Sequence, residues 1–248
     1  MTDPNPPAST SAGSPAANGR PAVVAPRVPI ASIHALRAPG LPSAAALALA
    51  RAPRPELERA MLRGSTPEIA ALVDWEFRGI NATPDGALPL ARLAGIQKFV
   101  KGMFRAAGRR DGDPEAVMDA VMDAVMDAVM DAVMGYNCPV VQNALDGRWQ
   151  TRPSDAEPRR FGFYTVAPVD PTRRDNRYLH ALLLDYGQGG NPAWDPSRAL
   201  RDYLVQVDPG NPDLLLGKAY AAIGPLRFPV GYFVLERWRR APQLPVER

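Results

Sequence analysis

One cysteine, Cys138, and two histidines, His34 and His180, are all that the 248-residue chain has of the residues that make disulfides and zinc sites. A lone cysteine excludes an intrachain disulfide and hence a disulfide-stapled secreted scaffold. With no basic neighbour to lower its pKa, it is expected to be buried and inert. One Cys with two separated His does not make a structural zinc site. Long apolar runs are missing too, since none approaches the ~20 residues that span a bilayer. Met1–Ser14 has no basic region followed by an apolar one, so no secretory signal is expected and the cytoplasm is the expected location.

A strong charge of either sign is also lacking: the formal net charge is +3. The basic groups Arg159-Arg160, Arg173-Arg174 and Arg237–Arg240 alternate with acids and have no aromatic stacking stripe, so nucleic acid is not an expected partner. Gly187–Gly190 lacks the Lys-Ser/Thr of a phosphate-binding loop. Asp208, Asn211 and Asp213 miss the spacing and the closing Glu of a calcium loop. No metal and no cofactor is expected.

Proline is abundant, with 28 residues, many of them in the first fifty-odd positions. Residues 1–53, rich in Pro, Ala, Ser and Gly, have the composition of a disordered tail, because they hold too little apolar surface to offset ordering entropy. A single domain is expected over 54–240. It should open with two short helices, Pro55–Arg63 stopped by Gly64 and a second capped by Ser65-Thr66-Pro67-Glu68. Leu72–Gly79 alternates Val73, Trp75 and Phe77 with Asp74, Glu76 and Arg78, which predicts a half-buried strand. Leu90–Arg105 repeats Leu90, Leu93, Ile96, Val100, Met103 and Phe104 at three- and four-residue steps. That spacing predicts an amphipathic helix with Lys98, Lys101 and Arg105 on its wet face.

Glu115–Met134 is EAVM followed by four copies of DAVM. Ala and Met favour a helical insertion over 114–134, with Gly135 as its stop. A Met/Val docking surface or a cation on the Asp119, Asp123, Asp127 and Asp131 stripe would be functional readings. A duplicated coding unit that lengthened a tolerant loop is the simpler account.

Beyond it, Pro139–Gln142, Arg148–Thr151, Phe161–Ala167, Tyr178–Tyr186, Asp202–Val207 and the last two apolar runs read as strands separated by turns such as Asp146-Gly147 and Asp208–Asp213. With the early strand this makes about eight, the number that suits a mainly β, antiparallel sheet closed into a barrel with minor helix.

Trp75 on an early strand, Arg237 on the last one, and the segments Asp74–Gly79, Lys101–Phe104 and Tyr232–Arg237 carry a resemblance to lipocalin-like (calycin) barrels. Within them the chain is similar to an uncharacterised bacterial family named for a GXWXG motif, with Val73 and Phe77 where that motif has glycines. The resemblance implies a barrel with a possible interior ligand site and transfers no activity. It also implies that Trp75 and Arg237 meet as the pair closing one barrel end, a cation–π contact of about 0.5–2 kcal/mol.

Tyr178, His180, Leu182, Leu184 and Tyr186 share one phase of a strand. If that face lines the barrel, His180 with Tyr178 and Tyr186 would be the polar hook in a pocket for a small apolar ligand, with Phe163 as a further ligand-binding residue. His180 is the one candidate acid/base, so an enzyme using the same cavity is the alternative. A third reading is a non-enzymatic interaction protein whose barrel is filled.

Overall fold

The computed structural model describes residues 41–82, 95–106 and 132–241. Helices α1 (Ala44–Ala50), α2 (Arg54–Arg63) and α3 (Ile69–Leu72) come first. Eight strands follow: β1 (Trp75–Ala82), β2 (Lys98–Arg105), β3 (Val133–Pro139), β4 (Phe161–Pro168), β5 (Leu182–Asp185), β6 (Leu200–Gln206), β7 (Leu214–Ile223) and β8 (Leu226–Arg240). Each strand pairs antiparallel with the next, and β8 pairs back onto β1, which closes the barrel. Closure leaves no sheet edge unpaired, which is why short strands such as β5 suffice.

Register decides what the barrel encloses. Phe77 lies opposite Lys101 on β2 and Arg237 on β8, and Gly79 lies opposite Phe99 and Leu235. Followed around the sheet, the same phase takes in Met103, Tyr164, Val166, Leu182, Leu184, Asp202, Leu204, Leu215 and Phe233. The apolar members of this set form one core cluster with Leu72 and Val73, which come from α3 and the residue after it. Three aromatic rings fit because glycines sit beneath them. A Cβ at Gly79, Gly135 or Gly217 would overlap the ring of Phe99, Tyr164 or Phe233 respectively.

The outer wall is also largely dry, which sequence alternation does not announce. Ala46, Ala50, Leu57 and Met61 from α1 and α2 cluster with Val205, Leu216, Tyr232 and Val234 on the outer face. Ser43 caps α1 through Oγ, which accepts from Ala46 N at 3.1 Å. Its own N–H donates to both carboxylate oxygens of Glu236 at 3.2 Å, and Glu236 pairs with Arg78 at 2.8 Å.

Several expectations need correction. Lys98–Arg105 is strand, not the end of a helix, and residues 95–97 are irregular; residues 90–94 of the expected helix lie outside the described residues. Val100 and Met103 point to opposite faces, and both are buried because both faces of the sheet are covered. That produces a helix-like spacing in a strand. Val133, Met134 and Gly135 belong to β3, so the repeat's last two residues and its expected stop are extended; the repeat up to Asp131 lies outside the described residues. Within the stretch read as tail, Ala44–Ala50 is a packed helix, and residues 1–40 lie outside the described residues. Val140 and Thr151 meet in a single bridge rather than in two strands.

Candidate functional site

Lys101 sits at the middle of β2 with Phe99 and Met103 two residues to either side, so the inward phase carries a cation between apolar neighbours. Only 2% of it is exposed. Its ammonium donates to Asn137 Oδ1 at 3.0 Å and, in a short bond, to the Tyr186 hydroxyl, and it pairs with Asp202 Oδ2 at 3.2 Å. The Tyr186 hydroxyl donates in turn to Asp202 Oδ2 at 3.1 Å. Four rings surround the ammonium, with centroids at 4.7 Å (Tyr164), 5.0 Å (Tyr186), 5.3 Å (Phe233) and 5.6 Å (Phe99). Ring faces are negative, so they partly replace the lost water shell.

Each partner arrives from a different strand or connection. Asp202 is on β6 opposite Leu184 and Ala219. Asn137, on β3, is held by its amide, which donates to Gly162 O at 2.9 Å. Tyr186 begins a short 3-10 turn directly after β5, and Asn191 fixes that turn: its amide donates to Tyr186 O at 2.9 Å and Phe163 O at 2.6 Å. Burial pulls the Lys101 pKa below its ordinary value, against the opposing charge of Asp202. Burial and the Asp202 charge push Tyr164 and Tyr186 well above theirs, so both remain phenols.

Two polar atoms at this site have no hydrogen-bond partner among the described residues: Asp202 Oδ1 and Ser197 Oγ. Ser197 lies at the same corner, since a Cβ on Gly162 would stand 3.2 Å from Asn137 Nδ2, 3.5 Å from the Tyr186 ring and 3.6 Å from Ser197 Cβ. A buried acceptor left open costs about 1–3 kcal/mol. The interior therefore holds a neutral ion pair with unused hydrogen-bonding capacity, walled by aromatic rings. No family model, curated protein or solved structure matches the chain.

The four residues expected to line a pocket are not gathered inside the barrel, although the Tyr178 and His180 rings meet edge to face at 6.4 Å. Only Tyr186 reaches the interior. Tyr178 and His180 precede β5 in a turn closed by Ala181 N donating to Tyr178 O at 3.0 Å, and this turn breaks their phase with Leu182 and Leu184. His180 Nε2 lies 2.7 Å from Met61 O, so it donates to that carbonyl outside the barrel and is not placed to act on an interior ligand. Phe163 packs on the outer face against Tyr136, at 6.4 Å between ring centroids. Arg237 lies over the Trp75 ring at 4.6 Å, and Arg240 lies over it at 4.1 Å.

Tyr178 instead joins a second polar cluster, on the outer wall under α2. Lys218 donates to Glu58 Oε2 at 2.6 Å and to the Tyr178 hydroxyl at 2.7 Å; Tyr178 donates to Glu58 Oε1 at 2.9 Å, and Tyr232 to Oε2 in a short bond. Cys138 is buried, and burial together with Glu76 pushes its thiol up to about 12, so it is no nucleophile. Among the described residues no group of three or more His, Cys, Asp or Glu is placed to hold a metal ion, and no helix is long and apolar enough to cross a membrane.

Lys101, Asp202 and Asn137 escaped the sequence reading for one reason. Each sits between apolar residues two positions away, but further polar residues on β2 and β6, such as Lys98 and Arg201, hide that pattern, and assigning 90–105 to a helix put Lys101 in water. The available signal was Lys101 at two-residue spacing between Phe99 and Met103, matched by Asp202 between Leu200 and Leu204 on another strand.

Proposed function

We propose that the protein binds a small, largely apolar molecule inside the barrel, with the Lys101–Asp202 pair and the Tyr186 hydroxyl as its polar recognition point. An eight-stranded barrel is about wide enough to hold either its own side chains or one small ligand. The carrying observation is the buried ion pair with Asp202 Oδ1 left open. Replacing a buried ion pair by well-packed apolar residues is often neutral or stabilising by about 1–4 kcal/mol, so stability alone is a weak reason to keep one here. The ion pair favours a ligand with one polar group on an apolar body. Phe99 and Phe233, packed edge to face at 5.9 Å over their glycines, would be walls of the site.

The test is native mass spectrometry of the purified protein for a co-purified small molecule, run beside the Lys101→Met/Asp202→Leu double variant. The wild type should carry the molecule. The double variant should melt within a few degrees of it and carry none. Loss of folding in the double variant, with no bound species in the wild type, would mean that the pair is purely structural.

A further inference from the structure

Lysine is scarce in this chain: only three of the 29 basic residues are Lys, and the rest are Arg. All three, Lys98, Lys101 and Lys218, are buried, although lysine is among the residues least often enclosed. Two are held by fixed partners on the outer wall. Lys98 donates to the carbonyls of Ala144, Gly147 and Arg148 and to Asn143 Oδ1, and Lys218 donates to Glu58 and Tyr178. Lys101 alone faces the interior.

We infer that Lys101 is an imine-forming lysine, and that the ligand class of the barrel is an aldehyde or ketone on an apolar body. The inference rests on the interior-binding reading above and specifies its chemistry. An arginine at 101 would pair with Asp202 by a two-pronged contact and keep its charge permanently; a lysine can give up its proton and attack. The surroundings suit that reaction. The ammonium is desolvated among four rings, Asp202 Oδ2 stands 3.2 Å away to take its proton, and the Tyr186 hydroxyl touches both Nζ and Asp202. Burial also lowers the pKa of the amine, which raises the fraction able to act as a nucleophile.

The step balances without a co-reactant. Lys101 passes one proton to Asp202, and its free pair forms a C–N bond to the carbonyl carbon as the carbon–oxygen π pair moves onto oxygen. That oxygen takes a proton released by the nitrogen and then the one held by Asp202, relayed through Tyr186, and leaves as water. The product is a protonated imine facing an ionised Asp202. One ammonium and one carbonyl thus become one iminium and one water, and the carboxylate with its open Oδ1 is the counterion.

The experiment uses the full chain, benzaldehyde with sodium cyanoborohydride as the trap, and benzyl alcohol as a body of the same shape without the carbonyl. Peptide mapping should find one benzyl adduct, on Lys101. Asp202→Asn should slow its formation by roughly a hundredfold, the scale of a lost acid/base group. Labelling confined to Lys98, Lys218 or the N-terminus overturns the inference, and the wild-type map gives that answer even if Lys101→Met fails to fold. Benzyl alcohol binding without an aldehyde adduct on Lys101 overturns imine formation and leaves interior binding standing. If neither compound binds, both readings fall.

Discussion

Lys98 shows what the buried lysines cost and how that cost is met. Its ammonium lies 3.9 Å from the centroid of the Trp149 ring, under a crown of three backbone carbonyls at 3.2–3.3 Å from the turn that joins β3 to β4. Burial drives its pKa down to about 8, opposed by the charge of Asp146. Lys98→Met keeps the stem but leaves Gly147 O and Asn143 Oδ1 without their donor, while Ala144 O keeps Gly147 N and Arg148 O keeps Asn143 Nδ2, so it should destabilise the fold by about 1–3 kcal/mol. Urea titration checks this. An unchanged midpoint would show that water serves the turn equally well. Nothing in the sequence marks Lys98 as buried, because most of its hydrogen-bond partners are main-chain atoms 46, 49 and 50 residues away and main-chain atoms carry no residue-type signal.

At the scale of elements, α2 is pinned by one carboxylate. Leu57 and Met61 supply its apolar contact with the barrel, and Glu58 supplies the polar one. Burial raises the Glu58 pKa, but bonds from Lys218, Tyr232 and Tyr178 outweigh this and hold it below the ordinary carboxylate value. For Lys218 burial lowers the pKa, and the same network more than reverses it. Glu58→Ala leaves a buried ammonium and two phenols short of their acceptor. Since Glu58 is partly exposed, water recovers some of the loss, and about 1–3 kcal/mol should disappear. Hydrogen exchange should speed first in α2. Uniform exchange across α2 and β7 in this variant would show that the apolar contact alone holds the helix.

Elements differ in how far the sequence reveals them. α2 is readable from Pro55, its helix formers and Gly64, all local signals, and β7 and β8 from long apolar runs on either side of Gly224-Pro225. β2 is not, because a strand buried on both faces loses its alternation. Nor is the turn at Tyr178–Ala181, where a run of β-favouring residues is interrupted by tertiary contacts.

For the whole molecule, a closed antiparallel barrel of about eight strands is legible in the sequence, although the expected count includes Pro139–Gln142 and Arg148–Thr151, which meet only in a bridge, and lacks β2 and β3. The contents of the barrel are not legible, because they depend on register across strands as far apart in sequence as Phe77 on β1 and Arg237 on β8. Burial on both faces of the sheet fixes a pH response. Burial raises the pKa values of Tyr136, Tyr164, Tyr178, Tyr186, Tyr203 and Tyr232, with Tyr203 reaching about 12, and raises the Cys138 thiol similarly. The unfolded chain releases those protons near the ordinary values of 10.0 for tyrosine and 9.0 for cysteine. Above that range the folded state holds more protons than the unfolded one, so stability falls as pH rises. Lys218, also raised, adds to the fall as pH passes its ordinary value of 10.5. Lys98 and Lys101 act in the opposite sense: their folded pKa values are depressed, so the unfolded chain holds more protons, and for Lys98 stability rises between about 8 and 10.5. Six phenols, a thiol and one lysine outweigh two lysines. Urea midpoints should therefore change little or rise slightly from pH 8 to 9 and drop steeply above 10. Lys98→Met should shrink the rise to the share of Lys101 and leave the drop. A midpoint that stays level to pH 11.5 would mean that the tyrosines ionise in the folded barrel, and would contradict the burial on which the interior site depends.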